Sequence, residues 1–244
     1  MKKLIFVLLG VIALVSNSCD DKSGKYATQL FTYSQMESAF TDCLSIAIDY
    51  AVECLCPEDE LDYALGYGFY EYEDESYRIY LPLAARGIVD SLTAHGQGAL
   101  IDTMVLHINR AAEASGSAIT NAFSSALDGL TYVNHQSYMN TSTSDALTQY
   151  FKTQCGVQIS QSLLAPVQVK LNEKGVMTEW NQILAIYYTY NPQPVSIDLN
   201  SYVTNQIVDA VFSEMGVAEG YIRSDDSWQT TDILALIFGM DDYE

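Results

Sequence analysis

Between Gln35 and Leu55 the residues Phe40, Cys43, Leu44, Ala47, Ile48, Ala51, Val52 and Leu55 recur at steps of three and four. That spacing puts them on one side of a helix and makes the stretch an amphipathic cylinder with a face to bury. The same period returns along most of the chain, and no strand-like alternation of any length interrupts it. Elements of this kind pack only against one another, so the predicted fold class is all-α: a multi-helix bundle forming a single domain over residues 34–239.

Local signals divide that domain. Ser34 and Glu37 have the spacing of a capping box at the start of the first helix, and Pro57 helps to end it. Helices are predicted over 83–95, closed by Gly96, over 98–115, closed by Gly116, and over 117–128. A short one is expected at 133–139. Ser144 is predicted to cap a helix through Thr153, followed by another from about Val157 to Asn172 with Pro166 inside it, where a kink is expected. Residues 178–190 form the next, ended by Asn191-Pro192. Asp198 caps a long helix to about Arg223, and Thr231 caps a last one ending at Gly239.

The segment Glu53–Glu75 is of a different kind. It carries nine acidic residues and no basic one, interleaved with Tyr63, Tyr67, Tyr70 and Tyr72. Carboxylates could hold calcium, but the D-x-D-x-D-G pattern that fixes such a loop is missing, so a solvated acidic loop is the expectation.

The N-terminus has the parts of an export leader. Lys2 and Lys3 precede the apolar run Leu4–Val15, too short for a stable span. Cys19 follows Ser16-Asn17-Ser18 and resembles a lipobox cysteine, with an ordinary secretory leader as the alternative. The organisation expected is a lipoprotein signal peptide over 1–18, lipidation at Cys19 and a tether over 19–33. An acylated cysteine carries enough chains for durable membrane attachment. Asp20-Asp21 resembles the acidic tag of surface lipoproteins. The implied location is the outer membrane of a Gram-negative cell envelope, periplasmic or surface-facing.

Charge narrows the partners. The chain has 31 Asp and Glu against 11 Lys and Arg, a net −20. It repels phosphate backbones, so nucleic acid is excluded as a partner, and it repels anionic lipid, which leaves membrane attachment to the lipid anchor. Cys43, Cys54, Cys56 and Cys155 form an even set in an oxidising compartment, and a disulfide from Cys54 or Cys56 to Cys155 is the expected bridge. No second C-x-C or nearby His pair supports a metal site.

Candidate site residues centre on "VLHINRAAEASG" (105–116). Ile101, Val105, Ile108 and Ala112 share one helix face, and Asn109 borders it. Asp102 and Glu113 extend the flank, and Arg110 lies three before Glu113, within reach of it. The first reading is a structural network, with buried polar groups paired to fix helix register. The second is a ligand-binding cleft with Gln149 and Tyr150, Arg110 holding an anion. The third is a hydrolase using Glu113 with Asp102 or Asp145. No nucleophile with a positioned base accompanies these residues, His95, His107 and His135 form no metal-binding spacing, and phosphate and dinucleotide motifs are missing. No catalytic residue, metal or cofactor is assigned. Thr148, Tyr202, Thr204 and Asp209 read as packing residues on helices.

The ordered segments "RIYLP", "GALIDTMVLHINRAAEASG", "ALTQYFKTQ", "SLLAPVQVKL", "YVTNQIVDAVFSEM" and "EGYIRSDDSWQTTDILALIFG" together resemble the bacterial envelope family domain of unknown function 4197. The resemblance covers about residues 36–239. Tyr80 stands where that family tends to have proline, and Trp228-Gln229 precede Thr230-Thr231 where an arginine is usual. The family implies an all-helical fold and brings no activity with it. The expectation is therefore a lipid-anchored protein acting as a non-catalytic binding or structural module, with a small-molecule- or peptide-binding groove as the alternative.

Overall fold

Helix α8 (Leu199–Ser224) is the axis of the fold, and its most extensive interfaces are with the first helix, α1 (Tyr33–Leu55), and with α6 (Ala146–Glu173). Its buried positions Leu199, Val203, Ile207, Val211, Met215, Ala218 and Ile222 step by three and four, so one helix face stays in the core for its full length. The structure, a computed structural model, describes residues 31–58, 63–64, 66–72, 75–139 and 141–239. The leader over 1–18, Cys19 and the tether as far as Leu30 lie outside the described residues.

Among the described residues there are nine α-helices, two 3-10 turns and no strand. The remaining helices are α2 (Arg86–Ala94), α3 (Gly98–Glu113), α4 (Gly116–Asp128), α5 (His135–Met139), α7 (Val176–Tyr190) and α9 (Asp232–Phe238). Helices α4 and α9 also pack on α1, while α2 and α3 pack on α7. No helix among the described residues is long and apolar enough to cross a membrane.

Most element boundaries follow the sequence signals, and the corrections begin with α1, α4 and the length of α6. The capping box of α1 uses Thr32 and Gln35, not Ser34 and Glu37: Gln35 N–H donates to Thr32 Oγ1 (3.2 Å) and Thr32 N–H to Gln35 Oε1 (2.9 Å). Gly116 does not close α3 but opens α4. A Cβ there would stand 3.0 Å from Cys56 Cβ, so glycine is what lets the two chains approach. The two helices expected around residues 146–172 are one. Leu147, Phe151, Cys155, Ile159, Leu163, Val167 and Leu171 form an unbroken buried stripe at spacing four, and its burial carries the helix through Gly156 and Pro166. Pro166 lacks one ladder hydrogen bond, and the apolar stripe on either side outweighs that loss.

Asp198 and Thr231 cap α8 and α9 as expected, accepting from Ser201 N–H (3.0 Å) and Leu234 N–H (3.3 Å). Thr231 Oγ1 also donates to Asp42 Oδ2 (2.9 Å), fastening the last helix to the first.

Candidate functional site

Helix α3 buries Ile101, Met104, Val105 and Ile108 in the core, and the edge of that face then carries Asn109, Arg110 and Glu113. All three turn toward the segment between α1 and α2. Asn109, fully buried, pairs with the backbone of Ile79 as another peptide unit would: Ile79 N–H donates to Oδ1 (2.8 Å) and Nδ2 donates to Ile79 O (3.0 Å). Its second amide hydrogen goes to Val105 O (2.7 Å). The side chain thus supplies the hydrogen bonds that a neighbouring strand would otherwise give to an extended segment.

Arg110 answers the acidic segment's lack of bases. Its guanidinium makes a two-pronged pair with Glu71, through Nη1 to Oε2 (2.7 Å) and Nη2 to Oε1, and Nη1 also donates to Glu113 Oε2 (2.8 Å). The guanidinium lies over the Tyr63 ring, 4.4 Å from its centre. Glu113 additionally accepts from Tyr70 N–H (3.2 Å) and Tyr63 Oη (3.4 Å). Arg78 completes the arrangement, donating from Nε (2.9 Å) and Nη2 (2.6 Å) to Tyr70 O and pairing with Glu75 (2.7 Å).

The electrostatics follow from this packing. Burial pushes the Glu113 carboxyl above its ordinary range, against the pull of Arg110 and of the Tyr70 N–H. Burial also works against the charge of Arg110, but Glu71 and Glu113 outweigh it and hold the guanidinium above its usual value. Gly68 makes the close approach here: at φ +99° it takes a left-handed conformation, and a Cβ would meet Glu113 Oε1 at 3.0 Å.

The family model for protein of unknown function (DUF4197) matches residues 31–239. The chain is a DUF4197 protein. No curated protein and no solved structure matches it.

The other candidate residues of this DUF4197 protein lie elsewhere. Asp102 is exposed on α3 and has no part in the Arg110 network. Gln149 donates to Asp145 Oδ2 (2.9 Å) at the start of α6, and Tyr150 Oη donates to Thr131 O (2.6 Å) beside the rings of Tyr138 and Tyr132. The expected cleft joining Arg110 to Gln149 and Tyr150 is therefore not assembled, and neither Asp102 nor Asp145 is among the partners of Glu113. Spacing within one helix brought Asn109, Arg110 and Glu113 together, whereas Gln149 and Tyr150 sit on a different helix and face other neighbours.

The expected disulfide is also corrected. Cys43, Cys54, Cys56 and Cys155 are all free and buried. Cys56 Sγ points at Ala112 O on α3 (4.0 Å) and Cys155 Sγ at Ala126 O on α4 (3.9 Å), so each thiol packs as a small apolar group against its own helix neighbour. Burial raises all four thiols, Cys54 to about 11. The histidines serve as links: His107 meets Glu179 of α7 (2.6 Å), His135 meets Glu37 of α1 (2.8 Å), and His95 stacks on Tyr190. Among the described residues no group of three or more His, Cys, Asp or Glu is placed to hold a metal.

A second buried network escaped the sequence reading. Helix α6 has Asp145 at its N-cap, not Ser144, and no side chain of its own caps it. Glu219 of α8, fully buried, does so from outside, accepting from Leu147 N–H (3.0 Å) and Thr148 N–H (2.7 Å). Arg223 Nε donates to the same carboxylate (2.9 Å), and its guanidinium covers the Phe238 ring. Close by, a Cβ on Gly216 would meet Asp145 Cβ at 3.2 Å, so the glycine admits the α6 start. Glu219 and Arg223 at i, i+4 were the available signal, but that spacing alone reads as a surface ion pair. Glu214, five positions earlier and buried, accepts from Tyr72 Oη (2.8 Å), a further tie between α8 and the acidic segment.

Proposed function

We propose that this DUF4197 protein is a lipid-anchored, non-catalytic binding or structural module of a Gram-negative outer membrane, attached through Cys19. One observation carries the non-catalytic part: Asn109, Arg110 and Glu113 spend their hydrogen bonds on Ile79, Glu71, Tyr63 and Tyr70. They fasten the acidic tyrosine-rich segment to α3, which is the work of structural polar groups. The lysines, apolar run and cysteine of the N-terminus support the anchor, and the net charge of −20 supports attachment by lipid in place of electrostatic adsorption.

The anchor is tested by growing cells with radiolabelled palmitate and comparing the natural chain with Cys19→Ser. Label in the natural chain and its loss, together with membrane sedimentation, in the variant is the expected result. Sedimentation unchanged by the substitution overturns it. The structural role of the cluster is tested by Arg110→Ala, expected to lower the melting temperature by several degrees. Unchanged melting with loss of a co-purifying ligand would overturn that role.

A further inference from the structure

Helix α6 carries two rows of side chains at spacing four. The row from Leu147 to Leu171 is buried in the core. The row Thr153, Val157, Gln161, Ala165 and Val169 is exposed, Val157 and Val169 to 75% and 51%. Each exposed member stands two positions from a buried one, about 200° round the helix, so the two rows lie on opposite sides. Rows of this spacing are the ridges by which one helix seats against another. Only one of the two has a partner within the chain.

Charge limits what can cover the exposed row. No charged residue occurs between Lys152 and Lys170, and depletion of charge is the compositional mark of the centre of a protein interface. The neutrality extends into α7. From Thr153 to Ile197 the only charged residues are Lys170, Glu173, Lys174 and Glu179, which cancel, so the whole net charge of −20 belongs to the rest of the chain. Two copies meeting through the outward side of α1 would set Asp49 and Glu53 against their counterparts, whereas two meeting through this row of α6 oppose no charge. An acidic or a basic partner finds no counter-charge on it.

The row is also matched to itself. Turned antiparallel about Gln161, it sets Val157 against Ala165 and Thr153 against Val169 across the axis, so aliphatic groups meet aliphatic groups. Gln161 then faces its own copy, and an amide both donates and accepts, so the two can pair. A two-fold interface demands this self-match, and a membrane or an unrelated helix does not. We infer that the exposed row of α6 is the docking surface for a second copy of this chain, with Gln161 at the two-fold axis. The inference stands on the fold and is independent of attachment through Cys19.

The test is sedimentation equilibrium of the folded Cys19→Ser chain. A monomer–dimer equilibrium in the micromolar range is expected, because one helix face buries a modest area. Val157→Glu and Gln161→Glu place like charges face to face and should each weaken dimerisation about tenfold or more. Ser45→Glu adds the same charge at an exposed site on α1 and should change it less than about twofold, since distant charges are screened. A short bis-maleimide should link Gln161→Cys into dimers and leave Ser45→Cys monomeric, the four native thiols of the domain being buried. Circular dichroism establishes that each variant is folded. Monomer at every concentration, equal weakening by Ser45→Glu, or equal cross-linking of the two cysteine variants overturns the proposal. So does a monomer that sediments with phosphatidylcholine vesicles and is released by Val157→Glu, which would give this face to a membrane. Each of these outcomes leaves the anchor and the Arg110 network to their own tests.

Discussion

Asn109 is hydrogen-bonded to both backbone polar groups of Ile79, although thirty positions separate the two residues. The pairing is internal to the protein, so its removal leaves an N–H and a C=O with nothing to replace the amide. Asn109→Ala should cost ~2–4 kcal/mol, the sum expected for stranding buried polar groups. Asn109→Asp should cost as much, because the Ile79 carbonyl would then face an acceptor. Urea unfolding measures both. A loss below ~1 kcal/mol for each would show that water reaches the site.

Glu219 joins the start of α6 to Arg223 within the core. Glu219→Ala leaves an arginine without its counterion and two helix N–H groups uncapped, and is expected to cost ~3–5 kcal/mol. Glu219→Gln keeps an accepting oxygen and should lose less. Equal losses from the two would place the whole effect in the carboxylate charge.

The raised Glu113 pKa gives stability a definite pH dependence. A carboxyl that binds its proton more tightly in the folded state than in the unfolded one contributes stability that is complete below the ordinary value of 4.5. That contribution is lost as pH rises through the folded pKa. Glu113→Gln cannot titrate. The stability of the natural chain relative to this variant should therefore grow as pH falls from 8 toward 4, as read from urea midpoints. A relative advantage that grows with rising pH would mean that the Arg110 charge pair governs.

Thiol chemistry checks the core directly. In the Cys19→Ser chain, folded and at pH 8, Ellman's reagent should react negligibly, because the remaining cysteines are buried and raised, Cys54 to about 11. Denatured without reductant, Cys43, Cys54, Cys56 and Cys155 should all react. Fewer than four would reveal a disulfide.

Much of the fold was legible because burial along each helix has a period that the residues display. The stripe from Leu147 to Leu171 is visible in the sequence. Gly156 and Pro166 hid its continuity, because local propensity marks a break where tertiary burial overrides it. The Asn109, Arg110 and Glu113 grouping was legible for the same reason, since one helix turn brings them together. Their partners were not. Glu71 looks like one more acid in an acidic run until Arg110, thirty-nine positions away, is seen to answer it. Asp102 shares the wheel position of a site residue, but no element covers it, and coverage is a property of the neighbouring chain that a helical wheel does not contain. Cysteine parity suggested a bridge, but which helices face each thiol depends on the packed arrangement.

The first helix obtains its largest interface from α8, near the opposite end of the polypeptide, and its next from α4, while α9 is fastened to it through Thr231 and Asp42. Until residues near 200 emerge from the ribosome, the apolar side of Tyr33–Leu55 can settle on α4 but not on its largest partner. Closure of the globule is thereby deferred to the end of synthesis, which favours a slow collapse and a prolonged open phase. A polypeptide held open in this way can still be threaded through a narrow pore.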